Sequence, residues 1–235
     1  TFILHSSNYY LFIVNLTIVN HPPYKMPDAA AERDTEEFTL GLLDRLDTLP
    51  VESLRTYRYS NDQLGEFISR IKGSSLRDKT LIAATGDHSI RGMRFTPAEQ
   101  LHQLSVPFYL YIPSRYAPRH TVNSNRVGSH KDIMPTLYHL ALSDARYPNL
   151  GRNLVNPSSG PEHEFAYHTD YLLLDNVAYS SIYSTAPEGL IVTSSFDLDH
   201  PVKSISPSLR QAAAYSDMLD WLTRYQLNQT VLRGD

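Results

Sequence analysis

No cysteine occurs anywhere in the 235 residues. That absence excludes disulfide bridges, thiolate zinc sites and cysteine nucleophiles together. Long apolar runs are also missing. The strongest, Tyr9 to Val19, is about half the roughly 20 residues needed to cross a bilayer, and Asn15 and Thr17 interrupt it. It has neither the basic leader nor the small-residue cleavage site of a signal peptide. An excess of positive charge is lacking too: Lys+Arg 21 against Asp+Glu 25 leaves a formal charge of −4, so bulk charge offers nothing to nucleic acid. What is present is globular in composition, with 41% hydrophobic and 20% charged residues. Such a chain is long enough to bury a substantial core as one large α/β domain or two small ones.

Tyr10 to Val19 is rich in β-branched and aromatic residues and reads as a buried, central parallel strand. It ends at Asn20-His21-Pro22-Pro23-Tyr24, where two prolines forbid helix and put His21 on a stiff loop. Residues 27–50 are charged, with an amphipathic stretch around Phe38, Leu42 and Leu46. Leu64, Phe67, Ile68 and Ile71 then fall at helical spacing, with Gly73 as the C-terminal cap. Thr80–Thr85 reads as a second buried strand that stops at Gly86-Asp87-His88, and Val106–Ile112 as a third. Gly128-Ser129-His130-Lys131-Asp132 opens a helix with Ile133, Leu137, Leu140 and Ala141 on one face and Pro135 tolerated in its first turn.

Beyond about residue 160 the texture changes. Phe165–Tyr167, Asn176–Ser184 and Gly189–Ser194 read as short antiparallel strands. A last amphipathic helix spans Pro207 to Asn228, with Ala212, Tyr215, Leu219 and Leu222 inward. The alternation predicts an α/β fold: a mostly parallel sheet flanked by helices, then a small antiparallel β plus helix portion. Residues 1–155 form the core in this reading, and 156–235 pack on the same domain.

The sharpest chemical signal is Asp87-His88 at the carboxyl end of an apolar strand, where open α/β sheets bind their ligands. A carboxylate oxygen beside an imidazole nitrogen suits Mn²⁺, Zn²⁺ or Mg²⁺, the imidazole tilting the choice away from Mg²⁺. On the residues alone, the pair fits a capped turn as well as a metal site.

Further segments complete a pattern. They are Leu16–Tyr24, Tyr59-Ser60-Asn61-Asp62-Gln63-Leu64-Gly65-Glu66-Phe67-Ile68, Thr80–His88, Val106–Pro113, Gly128–Leu137 and Tyr147–Leu154. In this order and spacing they resemble the sulfatase branch of the alkaline phosphatase superfamily. The likeness is to membrane-anchored phosphoglycerol transferases of the lipoteichoic acid synthase type and their Gram-negative relatives, and it covers residues 10 to 155.

The resemblance implies an alkaline phosphatase-like fold and metal-assisted transfer or hydrolysis of a phosphate or sulfate ester. The substrate implied is an anionic, cell-envelope molecule, such as a phosphoglycerol or phosphoethanolamine donor. Asp87 and His88 match the family's adjacent metal ligands, with Mn²⁺ the expected ion. His21 matches a histidine that contacts the head group. Arg91 stands where some relatives carry an arginine, and either clamps an anionic ester or is a surface residue, the surface reading being favoured. His130 lines the site or caps its helix, the cap being favoured, and Lys131 and Asp132 serve helix entry.

The family's nucleophilic Thr, or a formylglycine made from Cys or Ser, lies upstream of the histidine strand. This chain has no matching residue, so it is expected to be the C-terminal part of a catalytic domain whose nucleophile lies upstream. The family also implies an N-terminal membrane anchor with this domain on the periplasmic side of a bacterial inner membrane. A non-catalytic module binding an anionic glycan or lipid head group is the alternative.

Overall fold

The computed structural model of the chain describes residues 11–34, 36–96, 99, 103–124, 128–142, 147, 151–156, 165–167, 171–174, 177–180, 191–194, 197–201, and 214, 217, 218, 221, 222, 224 and 225. The chain divides into two compact units, Thr1–Arg77 with Ile90–Arg94, and Asp78–Ser89 with Phe95–Asp235.

The first unit is helical. α1 (Asp28–Ala31) and α2 (Leu40–Leu43) are single turns, the second capped by Thr39, whose hydroxyl accepts the Leu42 N–H at 3.4 Å. α3 (Val51–Lys72) is the long element. It begins directly after Pro50, which cannot continue a helix backwards. Glu52 in its first turn and Arg70 and Lys72 in its last complement the helix dipole, and Gly73 caps it as expected.

Ser53, Leu54 and Thr56 are buried at its start. The Ser53 and Thr56 hydroxyls turn back onto the Pro50 and Ser53 carbonyls, at 2.6 and 3.0 Å, so neither is left orphaned. Arg55 and Arg58 reach across to Asp34, Arg58 also to Glu36 at 2.9 Å, and Phe38 lies under the Arg58 guanidinium at 4.7 Å. These contacts fasten Asp34, Glu36 and Phe38 along the helix. Farther down, Leu64, Ile68 and Ile71 are half-buried while Phe67 is 50% exposed, so the predicted stripe is narrower than its spacing suggests.

Residues 90–94 close the unit by pairing back on 45–49. Met93 bridges Leu46, the Gly92 carbonyl accepts from Asp47 at 2.9 Å, and the Arg94 N–H donates to Arg45 at 2.7 Å. Gly92 is required there. Its φ is +81°, and a Cβ would meet the Thr48 hydroxyl at 2.6 Å and the Leu49 nitrogen at 2.9 Å.

The second unit carries the strands. β1 (Ile82–Thr85) and β2 (Phe108–Tyr111) pair antiparallel, Ile82 opposite Tyr111 and Thr85 opposite Phe108. β3 (Phe165–Tyr167), β4 (Tyr171–Leu174), β5 (Val177–Ser180), β6 (Ile191–Ser194) and β7 (Asp197–Pro201) form an antiparallel meander in sequence order. A 3₁₀ turn, His130–Asp132, leads into α4 (Ile133–Ala141), with Pro135 buried in its first turn.

Two expectations about strands need correction. Residues 80–85 and 106–112 were expected to lie in one mostly parallel sheet, but a short, largely apolar run suits either direction, and here the ladder is antiparallel. Residues 11–18 are in no strand at all, and Leu11, Phe12, Ile13, Val14, Leu16 and Ile18 are exposed. β-propensity favours an extended chain, yet a strand exists only where a ladder partner takes up its backbone groups. Tyr9 and Tyr10 lie outside the described residues.

In the C-terminal portion, β3, β5 and β6 fall where expected. β4 and β7 are additional: β4 is a continuous Tyr-Leu-Leu-Leu run without period, and β7 is polar and ends at Pro201, acceptable on an edge strand. Of the expected last helix, Ala214, Asp217, Met218, Trp221, Leu222, Arg224 and Tyr225 are helical, and Trp221 stacks on Tyr225 at 5.3 Å. Ala212, Tyr215 and Leu219 lie outside the described residues.

Candidate active site

The Asp87–His88 turn follows β1 directly. Gly86 makes the exit possible, since a Cβ there would come within 3.1 Å of the Val106 side chain. The His88 N–H donates to Asp87 Oδ1 at 3.0 Å, which closes the turn and leaves Oδ2 outward. His88 Nδ1 lies 2.8 Å from the Ser89 carbonyl. A carbonyl only accepts, so Nδ1 carries the proton and Nε2 presents its lone pair.

Asp87 Oδ2 and His88 Nε2 are 3.7 Å apart, and both side chains are exposed. The pair is therefore a capped turn and a two-donor site at once. Two donors each about 2.1 Å from one ion and separated by that distance subtend roughly 120°, within reach of tetrahedral or five-coordinate geometry. The donor set thus fits part of a divalent metal site. Among the described residues there is no group of three or more His, Cys, Asp or Glu that would complete one.

His130 does not cap its helix. Ser129 takes the cap position, and the His130 ring donates Nε2–H to the Gly86 carbonyl at 2.8 Å.

Behind it sits a buried polar knot. Asp132 is fully buried: Oδ1 accepts from Lys131 Nζ at 2.6 Å and the Arg152 N–H at 2.9 Å, and Oδ2 accepts the Ser129 N–H at 3.0 Å. The Thr136 hydroxyl donates to the Asp132 carbonyl at 2.7 Å and accepts the Leu154 N–H at 2.9 Å. Gly151 fits against this turn only because it lacks a side chain, since a Cβ would lie 2.1 Å from the Lys131 carbonyl oxygen. Residues 128–137 and 151–154, from two of the sequence motifs, are thus two halves of one structural clasp. Asp132 serves helix entry, as expected, and also carries most of the clasp.

Desolvation pulls the Lys131 ammonium below its ordinary pKa of 10.5, with Asp132 opposing that shift and Arg152 adding to it. Between the lowered folded value and 10.5 the unfolded chain binds this proton more tightly, so Lys131's contribution to stability rises with pH across that window. Urea unfolding of the chain and of Lys131→Met at a series of alkaline pH values checks this. The upward slope is expected in the parent and reduced in the variant, and equal slopes contradict it.

His21 and Arg91 lie in the first unit, Asp87 and His88 in the second. His21 is exposed on a turn, its N–H bonded to the Ile18 carbonyl and its Nδ1 3.1 Å from the Pro22 carbonyl, so Nε2 is again the nitrogen with a lone pair. It stands on a turn rather than at a strand end. Asn20 tethers the turn to α3, accepting from the Ser60 hydroxyl at 3.1 Å. Residue types alone did not reveal that tether, since two small polar side chains 40 positions apart carry no periodic signal. Arg91 is exposed beside the Gly92 turn.

The sulfatase family model matches residues 2–143. The chain belongs to the sulfatase family. It is 25% identical over 212 residues to the lipoteichoic acid synthase of Staphylococcus aureus, an alignment covering 84% of this chain and 31% of that protein. The chain therefore spans about a third of the curated relatives it matches.

Two solved structures share the fold. The lipoteichoic acid synthase of Listeria monocytogenes superposes with a TM-score of 0.64 at 20% identity, covering 90% of this chain and 52% of that one. An alkaline phosphatase superfamily protein from Vibrio parahaemolyticus gives 0.58 at 23% identity, covering 90% and 48%. The fold is accordingly of the alkaline phosphatase type, as the sequence motifs implied. Among the described residues no helix is long and apolar enough to cross a membrane.

Proposed function

We propose that this chain is the Asp-His-bearing part of a metal-dependent enzyme that transfers or hydrolyses a phosphate or sulfate ester of the bacterial cell envelope. Phosphoglycerol or phosphoethanolamine transfer is the specific form proposed. One observation carries the reading: Asp87 Oδ2 and His88 Nε2 sit 3.7 Å apart on one turn, each with a lone pair outward. Family membership and relatives named lipoteichoic acid synthase support an anionic envelope substrate.

In this proposal Asp87 and His88 hold the divalent cation, Mn²⁺ first and Zn²⁺ or Mg²⁺ next. Once bound, such an ion stabilises charge developing on the ester and lowers the pKa of the nucleophile. His21 and Arg91 hold the anionic head group, His21 as the imidazolium that donates Nε2–H and Arg91 through its planar fork. The nucleophilic Thr comes from the whole protein outside these residues. The enzyme works on the extracytoplasmic face of a bacterial membrane, attached through an anchor outside this domain.

The test is turnover of aryl phosphodiester and aryl sulfate probes by the whole protein, with added Mn²⁺ and with a chelator. Chelation is expected to abolish turnover. Metal-independent binding of an anionic glycan without turnover would instead mark a binding module.

His21→Ala in the same protein is expected to raise KM for an anionic ester roughly tenfold, the scale of one charge-assisted hydrogen bond. Its unfolding midpoint should hold, because His21 is an exposed loop residue. Parallel losses of stability and activity would assign His21 a structural role.

A further inference from the structure

The Gly86 carbonyl is held from a distance. His130, 44 residues along the chain, donates Nε2–H to it at 2.8 Å. The hydroxyl of the sequence neighbour Thr85 also donates to that oxygen, at a longer 3.3 Å. The carbonyl shares its peptide plane with the Asp87 N–H. A hydrogen bond to it therefore restrains φ at Asp87, and with it the direction of the carboxylate.

His130 is suited to that work because its own backbone is pinned. The Ser129 N–H is held by Asp132 Oδ2 at 3.0 Å, the Asp132 N–H by the Ser129 carbonyl at 2.9 Å, and the Ile133 N–H by the His130 carbonyl. The buried clasp around Asp132 thus delivers an imidazole to the turn that carries Asp87 and His88. Among the described residues the ring makes no competing hydrogen bond, and an exposed histidine has little packing role.

We propose that His130 is a positioning residue for the Asp87–His88 pair, aiming both donors at one cation through the Gly86 carbonyl. The inference rests on the metal reading of that pair and deepens it. His130 is not itself a ligand here, since the nitrogen nearest the turn spends its proton on the carbonyl. Partners that orient metal ligands typically cost 10- to 100-fold in affinity when removed.

The experiment uses Mn²⁺ alone as the probe and the 235-residue chain as it stands. Paramagnetic broadening of amide and imidazole NMR signals is followed during titration at one mildly alkaline pH. Unmodified chain should lose the Asp87 and His88 signals first. His130→Ala should require about tenfold more Mn²⁺ for the same broadening. His130→Gln, whose side-chain N–H reaches the same carbonyl, should restore most of the affinity. Unfolding midpoints should be alike in all three.

Broadening at 87–88 that His130→Ala leaves unchanged overturns the positioning role alone. Failure of Gln to rescue, with a lowered midpoint in both variants, makes His130 structural and also overturns it. Absence of selective broadening in the unmodified chain removes the metal reading and this proposal together.

Discussion

Asp132→Ala is expected to destabilise the second unit by about 3–5 kcal/mol, the cost of breaking a buried ion pair from one side. The carboxylate is fully buried and accepts from Ser129, Lys131 and Arg152 at once. Its removal leaves the Lys131 ammonium, already poorly solvated, without its nearest anion. Two backbone N–H groups, of Ser129 and Arg152, lose their acceptors with it.

Asp132→Asn should be nearly as harmful despite its shape. One carboxylate oxygen faces the Ser129 N–H and the other the Arg152 N–H, so an amide NH₂ meets a donor whichever way it is turned. Gly151→Ala should fail for a different reason, because its Cβ would overlap the Lys131 carbonyl. Folded domains hold only about 5–15 kcal/mol in reserve, so these losses are large. Urea unfolding measures them, and an Asn variant within about 0.5 kcal/mol of the parent would refute the clasp.

In the whole protein, Asp87→Ala and His88→Ala should each cut Mn²⁺-dependent ester turnover by at least about a hundredfold, above what losing a partner of a metal ligand costs. Both side chains are exposed, and the contacts they make are within their own turn, so folding has little stake in them. Their unfolding midpoints should match the parent. Excess Mn²⁺ should partly restore whichever variant keeps the other donor, because a remaining ligand still binds weakly. Turnover that survives both substitutions at parental rate and parental metal dependence would show that the cation, if one acts, binds elsewhere.

The clasp and the pair are joined through the His130–Gly86 hydrogen bond, yet the two substitutions should separate cleanly. Asp132→Ala acts on stability and drags activity with it. Asp87→Ala acts on activity alone. His130 stands between them, fixed by the first and acting on the second.

Much of this was legible in residue order. α3 and α4 announce themselves by apolar spacing, by Gly73 at the end of one and by the Gly128–Asp132 entry of the other, because helix signals are confined to neighbours within about four residues, whereas the start of α3 at Val51 went unread. The Gly-Asp-His strand end and the motifs around it were likewise readable, and they carry the likeness to the sulfatase family that the family model bears out.

Pairing direction was not. Ile82–Thr85 is equally apolar whether its partner runs with it or against it, and the antiparallel register depends on where residues 108–111 arrive. The exposed run at 11–18 has the composition of a strand but no ladder, since hydrogen-bond partners come from elsewhere in a fold and leave no local mark. Residue order and the family likeness it carries therefore singled out Asp87, His88, His21 and Arg91 as candidates. Only the tertiary structure decided that Asp132 is a buried fastening, that Gly151 closes on it, and that His130 reaches the Gly86 carbonyl, because each depends on segments far apart in the chain meeting at hydrogen-bond distance.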